Sequence, residues 1–297
     1  MSSFGKGVFF SVTSCVVWGA LPMYWKLLSA INSVHILAFR ILFSLLLVSG
    51  ILIIQKKLSW QGFYKDRRKC ILLITASVVI TASQGVYIWG VNQGYTVEAS
   101  LGYYICPLIS IVLGLLVFRE KLKLLQALAF ALACAGVVIL TVLTGSPPWI
   151  SLALAVSFAC YGLLKKAIDI SALESLWVEN LVMSPVGLLL LFTSFGATPG
   201  AGQGASYVAG LPLATLMILL FCGAVSVLPL YLFTKGARLL PLSTLGFIHF
   251  ISPTLTFLVG VFVFQEPFPH RNFIAFGCIW TACILYTISL KARPGKP

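Results

Sequence analysis

The sequence contains few charged residues, and acidic residues are the scarcest of them. Of its 297 residues, 9% are charged, seven are acidic and 60% are hydrophobic. A soluble domain carries about 25% charged residues, so this chain has too little polar surface to cover a core in water. A disordered chain is excluded as well, because disorder requires low hydrophobicity.

The sequence also lacks the short motifs that accompany metal binding and common enzyme mechanisms. It has no HExxH, no GxSxG, no P-loop and no Cys-x2-Cys pair. Its eight cysteines lie in or at the ends of apolar runs and are interpreted as small buried hydrophobic residues. We therefore predict no metal site, no cofactor and no catalytic residue. Two classes of function stay open at this point: a membrane-embedded enzyme without these motifs, and a receptor or assembly subunit.

Long apolar runs dominate the sequence. Each is about twenty residues long, the length of a helix that crosses the hydrocarbon layer. The runs are apolar on all sides, whereas the strands of a membrane barrel alternate with polar residues. They cover residues 7–28, 33–54, 70–92, 98–118, 124–143, 149–167, 173–195, 208–232, 240–264 and 272–290. We predict an all-α integral membrane protein with ten transmembrane helices in the lipid bilayer.

The basic residues indicate the orientation. The net charge is +13, which on a soluble protein would indicate a nucleic-acid partner. Here the basic residues stand at the ends of apolar runs, so we predict no nucleic-acid binding. A cytoplasmic N-terminus places 17 of the 20 basic residues on the cytoplasmic side and leaves Lys26, Arg40 and Arg271. The positive-inside rule therefore predicts that both termini are cytoplasmic.

One sequence pattern occurs twice. Pro-x6-Gly-x3-Phe-x-Glu begins at Pro107 and again at Pro253, with an offset of 146 residues. We predict two five-helix repeats, residues 1–147 and 148–297. Because five is an odd number, the second repeat is expected to be inverted in the membrane. Inverted repeats are typical of secondary transporters, in which the two halves exchange conformations around a central site.

Three stretches resemble RarD-type permeases, which belong to the EamA branch of the drug/metabolite transporter superfamily. They are Tyr87–Leu108, Leu228–Pro267 and the opening Trp18-Gly19-x2-Pro22-x-Tyr24-x-Lys26. The resemblance covers nearly all of the chain. It implies the EamA fold of ten helices in two inverted repeats, an inner-membrane location and movement of small organic solutes. One departure is His249-Phe250, where the family commonly has Gln-Tyr.

We therefore expect a secondary active transporter that moves a small organic metabolite or drug-like solute by alternating access. The small-molecule substrate is one partner, and a coupling proton or an exchanged solute is a further candidate. Amino-acid or nucleotide-like metabolite exchange and antibiotic efflux are both open. So are the direction of transport and the oligomeric state.

Two matched helix faces are the first candidate site. A spacing of 4, 3 and 4 residues places a ring, a proline, a hydroxyl and a glycine on one side of a helix. Proline frees a backbone carbonyl, and such groups are tolerated in membranes where they are buried in protein or line a cavity. Close packing through small residues is the alternative. The residues are Tyr103, Pro107, Ser110 and Gly114 in the fourth span, and His249, Pro253, Thr256 and Gly260 in the ninth.

The rings and hydroxyls of these faces are assigned to substrate binding, and the prolines and glycines to gating or structure. Among ionisable residues inside spans, which are costly and often functional, His249 is expected to contact substrate. Arg40 and Glu179 occupy comparable depths in the second and seventh spans. They are assigned to gating or structure, with ion pairing, substrate binding and snorkelling as the alternatives.

A last candidate group lies near the outer face. Trp18 and Trp89 are predicted to offer aromatic surface to a flat or cationic solute. Lys26 shares one side of the first span with Trp18 and Pro22, and Glu98 begins the fourth span. We expect Lys26 to meet Glu98 or a substrate carboxylate, with Pro22 and Glu98 in gating or structural roles. The alternatives are headgroup contact for Lys26 and a helix-terminus role for Glu98.

Topology can be tested with reporter fusions after Lys57 and after Gly202. We expect the Lys57 fusion to report the cytoplasm and the Gly202 fusion to report the outer side, because seven spans of the ten-span prediction lie on the N-terminal side of Gly202. The same sidedness at both positions would contradict the ten-span topology.

Overall fold

The computed structural model describes residues 2–28, 31–57, 66–92, 96–144, 149–192, 211–265 and 273–291; within these ranges, the side chains of 33, 88–100, 144, 192 and 291 are not described. In these ranges every regular element is helical and no strand is present. The ten helices are α1 (Ser3–Leu27), α2 (Ser33–Ile54), α3 (Arg67–Asn92), α4 (Thr96–Val117), α5 (Leu124–Thr144), α6 (Trp149–Ala167), α7 (Ala172–Phe192), α8 (Leu213–Leu239), α9 (Leu242–Val263) and α10 (Phe273–Lys291). The all-α, ten-helix prediction is confirmed.

The helices have the length and surface of membrane spans. In the described ranges nine of them are long and apolar enough to cross a membrane, and the searched part of α4, Leu101–Val117, is a shorter apolar helix. Large apolar side chains such as Ile54, Val142 and Phe221 are exposed on the outside of the bundle. Exposed apolar surface of this extent would aggregate in water and suits contact with lipid tails. The protein is therefore a multi-pass membrane protein.

Helix pairing follows the sequence repeat. α1 packs against α8 and α9, and α6 packs against α3 and α4. The remaining close pairs include α2 with α7, α5 with α10 and α4 with α9. The pairs are the same for the two halves of the chain. When each helix is replaced by the helix five positions away, the pairs of α1 with α8 and α9 become the pairs of α6 with α3 and α4. The repeat boundary at residue 147 and the inversion of the second repeat stay predictions.

The repeated motif ends with the same backbone geometry in both copies. Arg119 has φ 52° and Gln265 has φ 55°, and the two positions are 146 residues apart. Non-glycine residues seldom adopt this left-handed region. In the first copy the carbonyl of Gly114 accepts hydrogen bonds from the N–H groups of Phe118 and Glu120, each at 3.2 Å. Both copies therefore turn the chain in the same way after the helix.

Short connections give the bundle two ends. The helices α4 and α5, and likewise α6 and α7, are joined by only a few residues, so consecutive helices run in alternating directions. We call the end that holds Glu120 and the start of α9 the Glu120 end. The end that holds the start of α2 and the end of α1 is the Ser33 end.

The helices approach one another through glycine. A Cβ added at Gly223 of α8 would lie 2.5 Å from the carbonyl carbon of Phe43 and 2.7 Å from the nitrogen of Ser44. Both of these are backbone atoms of α2, and backbone cannot rotate aside as a side chain can. Small residues allow this close packing between helices in a membrane.

We predict that Gly223→Ala destabilises the protein. The new methyl group must separate α2 from α8, at a cost of about 1–3 kcal/mol, measured as a lower Tm in detergent. Gly50→Ala in α2 is the matched control, because nothing lies within 4 Å of a Cβ at Gly50. The control should be neutral or slightly stabilising, since alanine favours helix. Equal effects of the two substitutions would contradict the close packing.

Candidate functional site

An aromatic cluster surrounds His249 near the centre of the bundle. Its imidazole lies 5.0 Å from the ring of Phe233, 5.7 Å from Trp18 and 5.9 Å from Phe158, measured between ring centroids. These side chains come from α9, α8, α1 and α6. His249 is 8% exposed, and its Nε2 has no hydrogen-bond partner among the described residues. Buried polar atoms usually have a partner, so this nitrogen is available to a ligand or water.

The helix that carries His249 is irregular at that residue. The first helical segment of α9 ends at His249 and the second begins at Ile251. Pro253 has no N–H to donate to the carbonyl four residues before it, which belongs to His249. A π-helical turn that includes Gly260 follows, and such turns are frequent at functional sites. By contrast α4 continues through Pro107 as one helix.

A buried ion pair lies beside the aromatic cluster. Lys165 is 0% exposed and forms an ion pair with Glu179, and its ammonium donates to the hydroxyl of Ser175 at 2.6 Å. The hydroxyl of Tyr161 donates to the other carboxylate oxygen of Glu179 at 3.0 Å. The Tyr161 ring stacks on Phe233, with centroids 6.1 Å apart. Tyr161 therefore connects the ion pair to the aromatic cluster.

From sequence alone, Lys165 is expected at the cytoplasmic end of a span, and the structure instead buries it completely. The signal that could have identified this network is the four-residue spacing of Tyr161 and Lys165 on α6, matched by Ser175 and Glu179 on α7. The aromatic residues Phe158 and Phe233 carry no comparable signal, because nearly every position in these helices is apolar.

Arg40 lies in a different polar region, close to the Ser33 end. It is seven residues after Ser33, which corresponds to about 10 Å along the helix. It is half-buried, and Tyr103, Tyr161 and Cys222 lie within electrostatic range of its guanidinium. Among the described residues, no carboxylate lies within 4.0 Å of it.

Two tyrosine rings near the Ser33 end are accessible. Tyr103 is 43% exposed and Tyr87 is 37% exposed, and their rings are in edge contact at 5.9 Å. Tyr103 belongs to α4, which packs against α3, α5, α6 and α9. Arg40 and Tyr103 are within electrostatic range of each other, and a guanidinium does not face hydrocarbon, so we infer that both side chains face an internal space. We call this space, bounded by Arg40, Tyr87 and Tyr103, the Arg40 chamber.

The other residues predicted for the substrate site differ in burial. Ser110 is buried, with its hydroxyl 4.0 Å from the sulfur of Cys106, and Thr256 is half-buried on α9. Lys26 is exposed, and its ammonium lies 3.8 Å from the ring centre of Phe264. This cation–π contact between α1 and α9 at the Ser33 end was not predicted.

The positions assigned to gating or structure are mostly interior. Pro22 and Arg40 are half-buried, and Glu179 is 4% exposed. The two prolines and two glycines of the matched faces are buried, namely Pro107, Gly114, Pro253 and Gly260. The side chains of Trp89 and Glu98 lie outside the described residues, so the proposed contact of Lys26 with Glu98 stays a prediction.

A carboxylate joins three helices at the Glu120 end. Glu120 Oε1 accepts the N–H of Leu242 at 2.6 Å, and Oε2 accepts the N–H of Ser243 at 2.8 Å, so the side chain caps the start of α9. Lys166, in the last turn of α6, donates to Oε1 at 3.0 Å. A Cβ added at Gly114 would lie 2.8 Å from Oε2. We call Glu120, Lys166 and the two N–H groups the Glu120 cluster.

The Glu120 cluster favours the ionised carboxylate. Burial alone would raise the pKa of Glu120, but hydrogen bonds from Ser243, Leu242 and Lys166 outweigh burial and lower the pKa from its ordinary value of 4.5. The stabilisation is therefore fully present above pH 4.5 and is lost as the pH falls through the lowered pKa.

The side chains of the aromatic cluster and the Arg40 chamber are suited to binding a small molecule. Within the described ranges, no three His, Cys, Asp or Glu side chains converge where a metal ion could be held. All eight cysteines are free thiols. Aromatic surface, one accessible guanidinium and an unpartnered imidazole nitrogen are groups that hold a small organic molecule by packing, charge and hydrogen bonding.

Comparisons with known proteins agree with the fold. Residues 5–142 match the EamA-like transporter family. The chain is 40% identical to an uncharacterized transporter, YojE, of Bacillus subtilis strain 168, over 96% of this chain and 94% of that protein. It is 36% identical to Protein RarD of Streptomyces exfoliatus, over 95% and 88% of the two chains. A chain of known crystal structure shares the fold, with a TM-score of 0.71 and 14% identity over 97% and 99% of the two chains. The protein therefore belongs to the EamA-like transporter family, among its RarD-type members.

Proposed function

We propose that the protein is a secondary active transporter that moves a small organic solute across the inner membrane by alternating access. The observation that carries this function is a half-buried guanidinium, Arg40, with the accessible rings of Tyr87 and Tyr103, inside a bundle of membrane-spanning helices; together they define the Arg40 chamber. The names of the relatives support transport over the alternatives of a membrane enzyme or a receptor subunit. The substrate is a small metabolite or drug-like molecule, with a proton or an exchanged solute as the coupling partner.

In this proposal, the structure represents one of two access states. The Arg40 chamber lies about 10 Å from the Ser33 end, and a solute enters it from there. At the opposite end, the Glu120 cluster ties α4, α6 and α9 together. The aromatic cluster separates the two regions. Opening the Glu120 cluster while the Ser33 end closes would expose the same site to the other side.

The orientation belongs to the same proposal. Both termini are placed in the cytoplasm, so that the Glu120 end is the cytoplasmic end and the Ser33 end is the outer end. Lys165, Lys166 and Arg238 then lie toward the cytoplasm, as the positive-inside rule requires.

Transport is tested with purified protein in proteoliposomes. The vesicles are incubated with labelled amino acids, nucleosides, aromatic organic acids and antibiotics, and uptake is compared with that of protein-free vesicles. We expect saturable, protein-dependent uptake of at least one compound. Uptake no higher than in protein-free vesicles for every compound would contradict the proposed function.

We predict that Glu120→Gln weakens the closed Glu120 end in a pH-dependent way. The amide retains hydrogen-bonding atoms but loses the charge that binds Lys166 and the start of α9, at a cost of about 1–3 kcal/mol at pH 7. The difference in Tm between wild type and variant should shrink as the pH falls from 4.5 through the lowered pKa of Glu120, because the wild-type carboxylate is protonated first in the unfolded and then in the folded protein.

Glu174→Gln is the matched control for this prediction. Glu174 lies at the same end of the bundle, but its carboxylate accepts a hydrogen bond from the N–H of Ser171 just before its own helix. Hydrogen exchange at Leu242 and Ser243 should accelerate in Glu120→Gln and stay unchanged in Glu174→Gln. A pH-independent Tm difference, or equal exchange in both variants, would refute the role of the Glu120 cluster.

A further inference from the structure

Arg40 differs from Lys165 and Arg238 because no carboxylate of the described residues interacts with it. Lys165 is paired with Glu179. Arg238 interacts electrostatically with Asp169, Glu174 and Glu179 at the Glu120 end. The groups that interact with Arg40 are two phenols and a thiol, which are neutral unless they lose a proton.

An unpaired guanidinium inside a membrane-spanning helix is costly. A bound anion would compensate this charge where the described residues supply no carboxylate. Arg40 is partly accessible from the Arg40 chamber, whereas Lys165 is 0% exposed and already bound to Glu179 and Ser175. Arg40 is therefore the cation that a solute in the chamber can reach. Its planar fork matches the two oxygens of a carboxylate.

The side chains that line the Arg40 chamber indicate the chemistry of the solute beyond its carboxylate. Tyr103 is accessible and within electrostatic range of Arg40, and its ring meets the accessible ring of Tyr87 edge to face. Aromatic rings favour such edge or offset contacts with a further ring. Because no carboxylate of the described residues interacts with Arg40, we expect the solute to carry one negative charge. Because the neighbouring side chains are aromatic, we expect the solute to carry an aromatic ring.

We propose that the solute is an aromatic monocarboxylate, with its carboxylate bound by Arg40 and its ring against Tyr87 and Tyr103. This substrate class rests on the proposed transport function, and it moves Arg40 from a gating or structural role to substrate binding. The tests below measure binding and stability separately from transport.

The first test needs no ligand. Arg40→Met replaces the unpaired charge with an apolar side chain of similar length, so the Tm of the ligand-free protein should rise by about 2–5 °C. Glu179→Gln is the opposite control, because it leaves Lys165 buried without its partner, and its Tm should fall. A lower Tm for Arg40→Met would show that the protein itself neutralises Arg40, and would overturn the proposal.

Glu98→Gln belongs in the same series, because the side chain of Glu98 lies outside the described residues. Were Glu98 the partner of Arg40, both Glu98→Gln and Arg40→Met would lower the Tm. We expect Glu98→Gln to leave intact the binding described next.

The second test uses phenylacetate and its neutral analogue phenylacetamide as probes. At equal millimolar concentrations, phenylacetate should raise the Tm of the wild type by about 2 °C or more, and phenylacetamide should not. The shift should vanish in Arg40→Met and return in part in Arg40→Lys, which keeps the charge without the fork. No shift with phenylacetate, an equal shift with phenylacetamide, or a full shift in Arg40→Met would each overturn the proposal.

Transport distinguishes this inference from the function on which it rests. Phenylacetate binding that depends on Arg40, without protein-dependent uptake in proteoliposomes, would keep the site and reject transport. Protein-dependent uptake of neutral or cationic compounds only, at the same rate in wild type and Arg40→Met, would keep transport and reject the carboxylate site.

Discussion

A charge placed inside a lipid-embedded bundle must be neutralised there, because neither lipid nor packed side chains can solvate it. This constraint organises the interior of the protein. Glu179 is surrounded by the ammonium of Lys165 and the hydroxyls of Ser175 and Tyr161, so that both of its oxygens are bound. Glu120 is held by Lys166 and by the start of α9. Glu179 joins the consecutive helices α6 and α7, whereas Glu120 joins α6 to the start of α9, which is distant in sequence.

Close backbone contact makes these polar connections possible. A lysine and a glutamate on neighbouring helices can form an ion pair only where the helix axes are near one another, and glycine permits that approach. At Gly246 an added Cβ would lie 2.7 Å from the carbonyl oxygen of Pro107, so α9 and α4 touch through their backbones. Gly114 leaves the room that the Glu120 carboxylate occupies. In its first copy, the motif Pro-x6-Gly-x3-Phe-x-Glu ends α4, turns the chain through the left-handed residue Arg119 and places the carboxylate of Glu120 at the start of α9.

Sequence reasoning succeeds where a property is local to one helix. Twenty-residue apolar runs predict the ten helices, and the repeat of Pro107 and Pro253 predicts two helices of similar design. His249 stands out because imidazoles are rare inside spans. Pairings between helices are harder to predict. The partners of His249, Phe158 and Phe233, are ordinary apolar residues among many, and the burial of Lys165 depends on α7 covering it. The contact of Lys26 with Phe264 likewise depends on how α1 crosses α9, which no periodicity in either helix reveals.

The interruption of α9 at His249 separates two segments with different neighbours. The first segment is bound to α4, through Gly246 against Pro107, and to the Glu120 carboxylate. The second lies against α1, where Gly19 contacts Leu255. A continuous helix would force both segments to rotate together, whereas the missing hydrogen bond before Pro253 makes the joint a hinge. Bending at this joint would move the second segment relative to the first, and it would change the surroundings of the His249 imidazole.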